Sequence, residues 1–310
     1  MDSKTRRGGL GRAPGGSGTK RLTVAGAIAW GRRALANGEL TEQSKDCEIL
    51  LAHAAGKDLS WVTCNWHKPL SKRTVDEFRS LLIKRAAGTP VQYLVGAAEF
   101  FGLKLNVGRG VYIPKWETEL LVEEALRFLE TPQLADLSWG MSRKRALIHE
   151  VGTGSGAIAI SIARHAPDVE IEASDVSAFA LSMAQANANL NGVPGQIRFR
   201  CGDLQGPLSG VPDLVVANLP YIKEAEESEL PKEVRSQPRS SLLSRSFGLA
   251  HIEQLLKELV IKPAGNVMLE IGFDQAGGVR SLCSEIPNLL YERTVKDLAG
   301  FDRIAVIASA

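Results

Sequence analysis

Apolar positions recur at helical spacing through the first third of the chain. One stripe of four residues is spaced for a single helix face: Val75, Phe78, Leu81 and Leu82. Ser71 is placed to cap the start of that helix, and Gly88 and Pro90 are placed to end it. The pattern therefore predicts a small helical domain over residues 21–95.

The next segment alternates apolar and polar residues, which is typical of a strand. Leu103 and Leu105 flank Lys104, and the alternation continues to Val107. The glycines at positions 108 and 110 predict a turn, with a partner strand at residues 111–113. We therefore expect a β-hairpin linker over residues 96–114.

From residue 115 onward, strand patterns and helix patterns alternate. Predicted strands are Ala146–Val151, Glu170–Ser174, Gln196–Arg200, Leu214–Ala217, Asn266–Ile271 and Arg303–Ile307. Predicted helices are Thr118–Leu129, Gly156–His165, Ala178–Leu190 and Leu249–Leu259. This alternation predicts an α/β domain over residues 115–310, with a parallel sheet covered by helices on both faces.

The first 20 residues differ in composition from the rest. They contain five Lys or Arg, one acid and six glycines, and no apolar stretch. Such a composition predicts a disordered, basic, Gly-rich tail over residues 1–20. An organelle-targeting or RNA-contacting arm is the alternative interpretation.

Charge and cysteine content narrow the function classes. The 310 residues carry a formal net charge of +2, which does not favour nucleic acid as a partner. No apolar run approaches the roughly 18 residues that a membrane helix needs, so no membrane partner is expected. The four cysteines lie far apart, which favours reduced thiols over disulfides or a zinc site. We expect a cytoplasmic protein, with an organelle as the alternative.

A glycine-rich segment lies between the first predicted strand of this domain and the helix that follows. It reads Glu150-Val151-Gly152-Thr153-Gly154-Ser155-Gly156-Ala157. Glycines at such a turn let the backbone approach a ligand closely, so the segment predicts a cofactor loop. Because its spacing also satisfies the dinucleotide fingerprint in its Gly/Ala form, both NAD and S-adenosyl-L-methionine fit.

Two aspartates follow the next two predicted strands. Asp175 ends the second strand and could accept both ribose hydroxyls of an adenosine-containing cofactor, although an acid that stabilises the following helix is the alternative. Asp203 follows the third strand and could accept a hydrogen bond from an adenine amine. A simple Gly-Asp turn is the alternative there.

The fourth strand ends in the tetrapeptide Asn218-Leu219-Pro220-Tyr221. The Asn218 side-chain oxygen and the Leu219 carbonyl could accept the two hydrogens of a planar nitrogen. Pro220 would stiffen the loop, and the ring of Tyr221 would pack on the substrate. The set predicts modification of an amide or of a nucleobase amine.

These motifs, in this order, resemble the HemK/PrmC family of protein-(glutamine-N5) methyltransferases over roughly residues 22–310. Besides the cofactor loop, the two aspartates and the tetrapeptide, the segments that carry the resemblance are Thr89–Leu94, Glu99–Leu103, Ile113–Glu119, Leu269–Gly272 and Ala299–Arg303. The third of these segments is similar to the family's IPRPETE sequence.

The resemblance implies a Rossmann-like class I methyltransferase domain behind a helical substrate-recognition domain. It implies S-adenosyl-L-methionine as cofactor, no metal, and the Gly-Gly-Gln glutamine of class I peptide-chain release factors as acceptor. The implied catalytic residues are Asn218, Pro220 and Tyr221. The implied donor-binding residues are Glu150, Gly152, Thr153, Gly154, Gly156, Asp175, Asp203 and Asn218. The implied acceptor-binding residues are Asn218, Leu219, Pro220, Tyr221 and Glu117.

Three departures from the family pattern keep other functions open. Leu219 stands where the family has proline, Lys115-Trp116 replaces Arg-Pro, and residues 239–248 replace a segment with Gly-Gly and an acid. Asn-Leu-Pro-Tyr is also similar to the motif of ribosomal RNA adenine-N6 dimethyltransferases. The alternatives are N6-adenine methylation of RNA or DNA, a diverged methyltransferase for another amide or amine, an NAD-dependent oxidoreductase, and an inactive binding module.

Overall fold

The computed structural model describes residues 21–36, 43–131, 145–261 and 264–309. The chain forms two compact units. One contains the described residues up to Gly96 together with Leu230–Ser236, and the other contains the described residues of Ala97–Glu229 and those from Gln237 onward. The tail predicted over residues 1–20 lies outside the described residues.

The first unit is helical, as the apolar spacing predicts. Its helices are Val24–Leu35, Gln43–Ala55, Leu59–Cys64, Lys72–Ala86, Val91–Val95 and Lys232–Arg235. The predicted cap at Ser71 is confirmed, because its hydroxyl accepts a 3.1 Å hydrogen bond from the Thr74 amide. Phe78 and Leu82 from the predicted stripe are fully buried in the core of this unit.

A buried arginine joins three parts of the helical unit. Arg85 is almost fully buried, and its Nε donates a 2.6 Å hydrogen bond to Oδ2 of Asp46. Its guanidinium also pairs with Glu233, which belongs to the segment Leu230–Ser236. One cation therefore links two helices to a segment that is distant in sequence.

The second unit begins with a β-hairpin whose turn differs from the prediction. Strand β1 (Ala97–Phe100) pairs with strand β2 (Leu103–Asn106), so the turn is Phe101-Gly102, with φ values of 50° and 71°. The predicted partner strand at residues 111–113 was wrong. There the Val111 amide bonds the Gly108 carbonyl, and the Ile113 amide bonds the side chain of Gln237, so neither amide is available to a strand.

A seven-stranded sheet forms the centre of the second unit. Its strands are β3 (Ala146–Val151), β4 (Val169–Asp175), β5 (Ile197–Cys201), β6 (Leu214–Ala217), β9 (Asn266–Glu270), β10 (Leu289–Lys296) and β11 (Asp302–Ser309). They lie side by side in the order β10-β11-β9-β6-β3-β4-β5. The short strands β7 (Ile222–Lys223) and β8 (Leu243–Ser244) pair separately. All six predicted strands are present, but β10 was missed.

The expectation of an all-parallel sheet was wrong at one strand. Strand β11 runs antiparallel to both of its neighbours, β9 and β10. The link from β10 to β11 is short, at residues 297–301, and a short connection joins antiparallel strands. The other strand pairs in this sheet are parallel, as predicted.

Helices cover both faces of the sheet because its central strands are apolar on both sides. Helices of this unit are Glu119–Leu129, Ala157–His165, Ala178–Leu190, Ala250–Glu258 and Ala276–Glu285. Val216 packs in the core cluster on one face, and its neighbour Val215 packs in the cluster on the other. Within the described ranges, no helix combines the length and apolar character needed to cross a membrane.

Candidate active site

A cavity of about 260 Å³ opens at the carboxyl ends of β3, β4 and β6. Ligands of open α/β sheets bind at this edge. Ten of the predicted site residues line the cavity: Glu150, Gly152, Thr153, Gly154, Asp175, Asp203, Asn218, Leu219, Pro220 and Tyr221. The structure therefore brings together side chains from several strand ends that are far apart in sequence.

The glycine-rich loop wraps its backbone around one side of the cavity. Gly152 and Gly154 have φ values of 77° and 55°, which L-residues rarely adopt. A Cβ at Gly154 would meet no atom within 4 Å. The Gly152 and Thr153 amides both donate 2.9 Å hydrogen bonds to the Ser174 carbonyl, which attach the loop to β4.

Glu150 is a buried acid beneath this loop. Its Oε2 accepts hydrogen bonds from the Thr153 hydroxyl at 2.6 Å and the Ala159 amide at 3.2 Å. Burial raises the pKa of Glu150 to about 8, although these two hydrogen bonds oppose the rise. Its Oε1 is buried and has no hydrogen-bond partner among the described residues, so a cofactor amine or hydroxyl could bond there.

Asp175 connects the loops that follow β3 and β4. Its Oδ2 accepts a 2.9 Å hydrogen bond from the Gly154 amide, and its Oδ1 accepts one of 2.8 Å from Ser177. Each carboxylate oxygen has lone pairs for more than one donor, so both ribose hydroxyls could still be bound. Ser177 itself caps the next helix, so the helix does not require Asp175 as its cap.

Asp203 lies across the cavity, after β5. Within the described ranges its Oδ2 accepts one hydrogen bond, a long one of 3.4 Å from the exposed Gln254 side chain. This carboxylate can therefore accept a hydrogen bond from an amine of the cofactor. Together Asp175 and Asp203 give the cavity negative charge, which suits a cationic sulfonium compound.

Two predicted site residues do not line the cavity. Gly156 has a φ of 82°, and a Cβ there would lie 2.8 Å from Cδ1 of Ile160 and 3.0 Å from Cβ of Ala184. It permits close packing of helices, and its contact with the donor stays a prediction. Glu117 is not among the lining residues, and its role also stays a prediction. Its Oε2 is buried and has no hydrogen-bond partner in the part of the chain that the structure describes.

The amide of Asn218 is oriented by a residue of a different element. Its Nδ2 donates a 3.0 Å hydrogen bond to Oγ1 of Thr118, a fully buried residue that the site prediction did not include. With Nδ2 engaged there, Oδ1 is the atom left to accept hydrogen bonds. Asn218 thus presents an oriented acceptor at the cavity.

Leu219 lines the cavity although its side chain is buried. The side chain belongs to the core cluster, and its Cδ2 lies 3.3 Å from the place of a Cβ at Gly152. No described residue donates a hydrogen bond to its carbonyl. The Asn218 oxygen and the Leu219 carbonyl are therefore adjacent acceptors at the end of β6 that receive no hydrogen bond from the residues that the structure describes.

Glu270 joins Tyr221 and Thr118 behind the tetrapeptide. It ends β9 and is almost fully buried, and its Oε1 accepts a 3.3 Å hydrogen bond from the Tyr221 hydroxyl. Burial raises the pKa of Glu270 to about 7, opposed by hydrogen bonds from Thr118 and Tyr221. Burial and the nearby Glu270 also raise the pKa of Tyr221, so its hydroxyl remains a donor.

Sequence reasoning did not identify Thr118 or Glu270 as site residues. The usable signal was an acid at the end of an apolar strand, Asn266–Glu270, because strand ends hold ligands in this class of sheet. Tyr112, also missed, lines the cavity, and burial raises its pKa. All three residues lie close to the four-residue motif in space, but not in sequence.

We expect the Glu270→Gln variant to gain stability relative to the wild type as pH rises. The pKa of Glu270 is raised from 4.5 to about 7 in the folded protein, so the unfolded chain releases this proton at lower pH. Below about pH 4.5 Glu270 is protonated in both states, so its ionisation does not affect the free energy of unfolding. Between about pH 4.5 and pH 7 the wild type loses stability as pH rises, and above about pH 7 this loss is complete. The neutral amide carries no such cost, which is roughly 1–3 kcal/mol.

Urea unfolding at about pH 5 and about pH 8 measures this difference between the two proteins. The exposed acid Glu285 supplies the control, because Glu285→Gln should change stability equally at both pH values. If Glu270→Gln changes the free energy of unfolding by the same amount at both pH values, the pKa assignment is refuted.

Two family models match the chain. The PrmC N-terminal domain model covers residues 26–96, and the Methyltransferase small domain model covers residues 137–242. The catalytic domain of hMettl16, solved in complex with MAT2A 3'UTR hairpin 1, shares the fold with a TM-score of 0.53, at 15% identity over 84% of this chain and 90% of that one. The fold and the cavity define a class I methyltransferase that uses S-adenosyl-L-methionine.

Full-length relatives narrow this class to one family. The release factor glutamine methyltransferase of Moorella thermoacetica is 34% identical over 91% of this chain and 97% of its own length. The release factor glutamine methyltransferase of Xylella fastidiosa (strain 9a5c) is 36% identical over 84% of this chain and 91% of its own length. The chain belongs to the family of release factor glutamine methyltransferases. The predicted family, fold class and cofactor are confirmed, and the NAD alternative is not supported.

Proposed function

We propose that this enzyme methylates the side-chain nitrogen of a protein glutamine, the Gly-Gly-Gln glutamine of class I peptide-chain release factors. The names of its relatives support that acceptor. The donor is S-adenosyl-L-methionine, whose sulfonium supplies an electrophilic methyl group when it is bound.

The observation that carries the proposal is the pair of free acceptors at the end of β6. A primary amide nitrogen has two hydrogens and a delocalised lone pair, which makes it a weak nucleophile. Hydrogen bonds to Oδ1 of Asn218 and to the Leu219 carbonyl would engage both hydrogens. They would hold the nitrogen in place and favour electron density on it, so positioning and electrostatics supply the catalysis. The extra proton of the methylated nitrogen leaves to solvent.

The remaining residues of the tetrapeptide hold the acceptor amide. The fixed φ of Pro220 limits the loop after the two acceptors. The ring of Tyr221 lines the cavity, and the bond from its hydroxyl to Glu270 fixes its orientation, so its face can pack on the planar amide. On the donor side we assign the ribose to Asp175 and the adenine amine to Asp203.

The acceptor is tested with labelled donor, purified enzyme and a full-length class I release factor. Mass spectrometry should place the label on the Gly-Gly-Gln glutamine, and a release factor with that glutamine replaced by glutamate should take up none. Label on RNA, or on another protein in the same extract, would overturn the proposed acceptor without affecting the reaction class.

We expect Asp175→Asn to weaken donor binding about 10- to 100-fold, because hydrogen bonds to a charged group contribute about 1.5–3 kcal/mol. Isothermal titration calorimetry with S-adenosyl-L-methionine measures this change. Asp168→Asn is the matched control, since Asp168 is exposed and precedes the opposite end of the same strand. A Kd within twofold of the wild type in the Asp175 variant would contradict the ribose assignment.

The tetrapeptide also fits a nucleobase amine, which is the second candidate acceptor. The run Glu224–Glu229 just beyond it carries four acids, and their charge opposes a phosphate backbone. We therefore favour a protein. Release factors act in translation, so the proposed acceptor places the reaction in the cytoplasm or in an organelle that translates.

A further inference from the structure

A strained turn whose backbone lies beside Tyr221 carries an exposed aromatic side chain. Ser246 and Phe247 have φ values of 52° and 57°, two consecutive left-handed residues that are not glycine. Such residues are strained and are retained where the surroundings impose them. The side chain of Phe247 is 84% exposed. Core packing therefore does not explain this conformation.

Gln275 fixes this turn directly onto Tyr221. Its Nε2 donates hydrogen bonds to the Tyr221 carbonyl at 2.9 Å and to the Phe247 carbonyl at 3.2 Å. Its Oε1 accepts a 2.8 Å bond from the Gly272 amide, which orients the buried amide group. One side chain therefore ties the backbone of Phe247 to the last residue of the tetrapeptide.

The next residue shows how closely the turn approaches the motif. Gly248 has a φ of 86°, and a Cβ there would lie only 2.1 Å from the Tyr221 carbonyl oxygen. Only glycine fits at this position. The exposed ring is therefore carried by a rigid segment in contact with the catalytic loop.

The charges around the turn favour a polypeptide over a nucleic acid. Arg245 lies 3.9 Å from Glu224, and Lys223 is paired with Asp274 at 2.5 Å. These cations already face carboxylates, and the acidic run Glu224–Glu229 begins at the same place. A phosphate backbone would meet local negative charge, whereas an apolar ring suits a neutral peptide segment.

We propose that Phe247 is a docking residue for the acceptor polypeptide, packing on the segment that flanks the methylated glutamine. The inference rests on the proposed function. Glycines beside a glutamine expose their backbone, so an aromatic ring can approach it closely. Because the turn is fixed to Tyr221, a flank held by Phe247 positions the glutamine near Asn218.

Steady-state methylation of a full-length release factor tests the proposal. Phe247→Ala should raise KM for the release factor about tenfold, in the range of an aromatic interface residue, while kcat stays within about twofold. Phe247→Tyr should restore the wild-type KM. The matched control is Leu290→Ala, an exposed apolar residue in β10 that pairs with Ala308, near the edge of the sheet opposite the cavity.

Donor binding by calorimetry accompanies each variant and should be unchanged. An unchanged KM in Phe247→Ala, or a fall in kcat together with weaker donor binding, would overturn the docking role. If the wild-type enzyme leaves the release factor unlabelled, the proposed function fails instead. The wild-type sample therefore tests the proposed function, and the comparison of the Phe247 variants with it tests the docking role.

Discussion

Asn218→Ala should lower kcat for glutamine methylation about 100- to 1,000-fold, the loss expected when one preorganised polar contact to the reacting group is removed. The alanine leaves only the Leu219 carbonyl to hold the acceptor nitrogen, so one of its hydrogens has no partner in the site. Donor binding should weaken far less, by at most about threefold, because the loop residues and the two aspartates remain in place.

Single-turnover methylation measures the chemical step, and calorimetry measures donor affinity. Asn189→Ala, an exposed position on the helix Ala178–Leu190, controls for removal of an asparagine. Full kcat in Asn218→Ala would show that this amide does not hold the acceptor nitrogen.

The orientation of Asn218 can be tested separately from its presence. Thr118 Oγ1 accepts the hydrogen bond from Nδ2, so the hydroxyl determines which end of the amide faces the cavity. Loss of the hydroxyl should free the amide to rotate, so catalysis should depend on Thr118 through the orientation that its hydroxyl gives to Asn218. Glu270, which accepts from both Thr118 and Tyr221, extends this positioning to the whole tetrapeptide.

The parts of the site that the sequence predicts are those that follow a strand directly. The glycine loop follows β3, Asp175 ends β4, and Asn218 follows β6, so a strand pattern and a motif identify each of them. The Asn218–Thr118 hydrogen bond joins residues 100 apart, and the Tyr221–Glu270 bond joins residues 49 apart. No local pattern encodes such pairs, because they exist only after the sheet has formed.

The missed elements of the fold have weak local signals for physical reasons. Strand β10 is an edge strand in which four of the eight residues are polar or charged and none is buried, so it lacks the regular alternation of a half-buried strand. The helix Ala276–Glu285 contains Gly277 and Gly278, which lower helix propensity. In the first hairpin, the turn places Phe101 at positive φ, and phenylalanine is not a residue that predicts such a turn.

Leu219 is the departure from the family pattern that bears most on the chemistry. The motif needs a carbonyl at this position, and any residue provides one. The side chain is buried against Gly152 and packs in the sheet core, so packing can restrain the loop where proline would fix φ. The substitution is therefore compatible with amide methylation, and it does not favour a nucleobase.

Arg85→Met should destabilise the helical unit by about 3 kcal/mol, because removal of one partner from a buried ion pair leaves the other carboxylates in a poorly solvated site. Arg85 is 2% exposed between Asp46 and Glu233, and methionine cannot replace its charge. Urea unfolding followed by tryptophan fluorescence measures the change, since Trp30 lies in this core. Arg79→Met, an exposed position on the same helix, should change stability by less than about 0.5 kcal/mol.

The double variant Arg85→Met with Asp46→Asn separates charge from packing. If the loss comes from buried negative charge, neutralising Asp46 should restore part of the stability, and the two substitutions should be strongly non-additive. If the loss comes from the missing guanidinium volume, the second substitution should restore nothing. The helical unit includes Leu230–Ser236, so the same cation also holds a segment that lies between Tyr221 and cavity residue Pro238 in the chain. Removal of the Arg85 cation should therefore also make local opening of this segment easier. Hydrogen exchange at residues 230–236 should then be faster than in the Arg79→Met control.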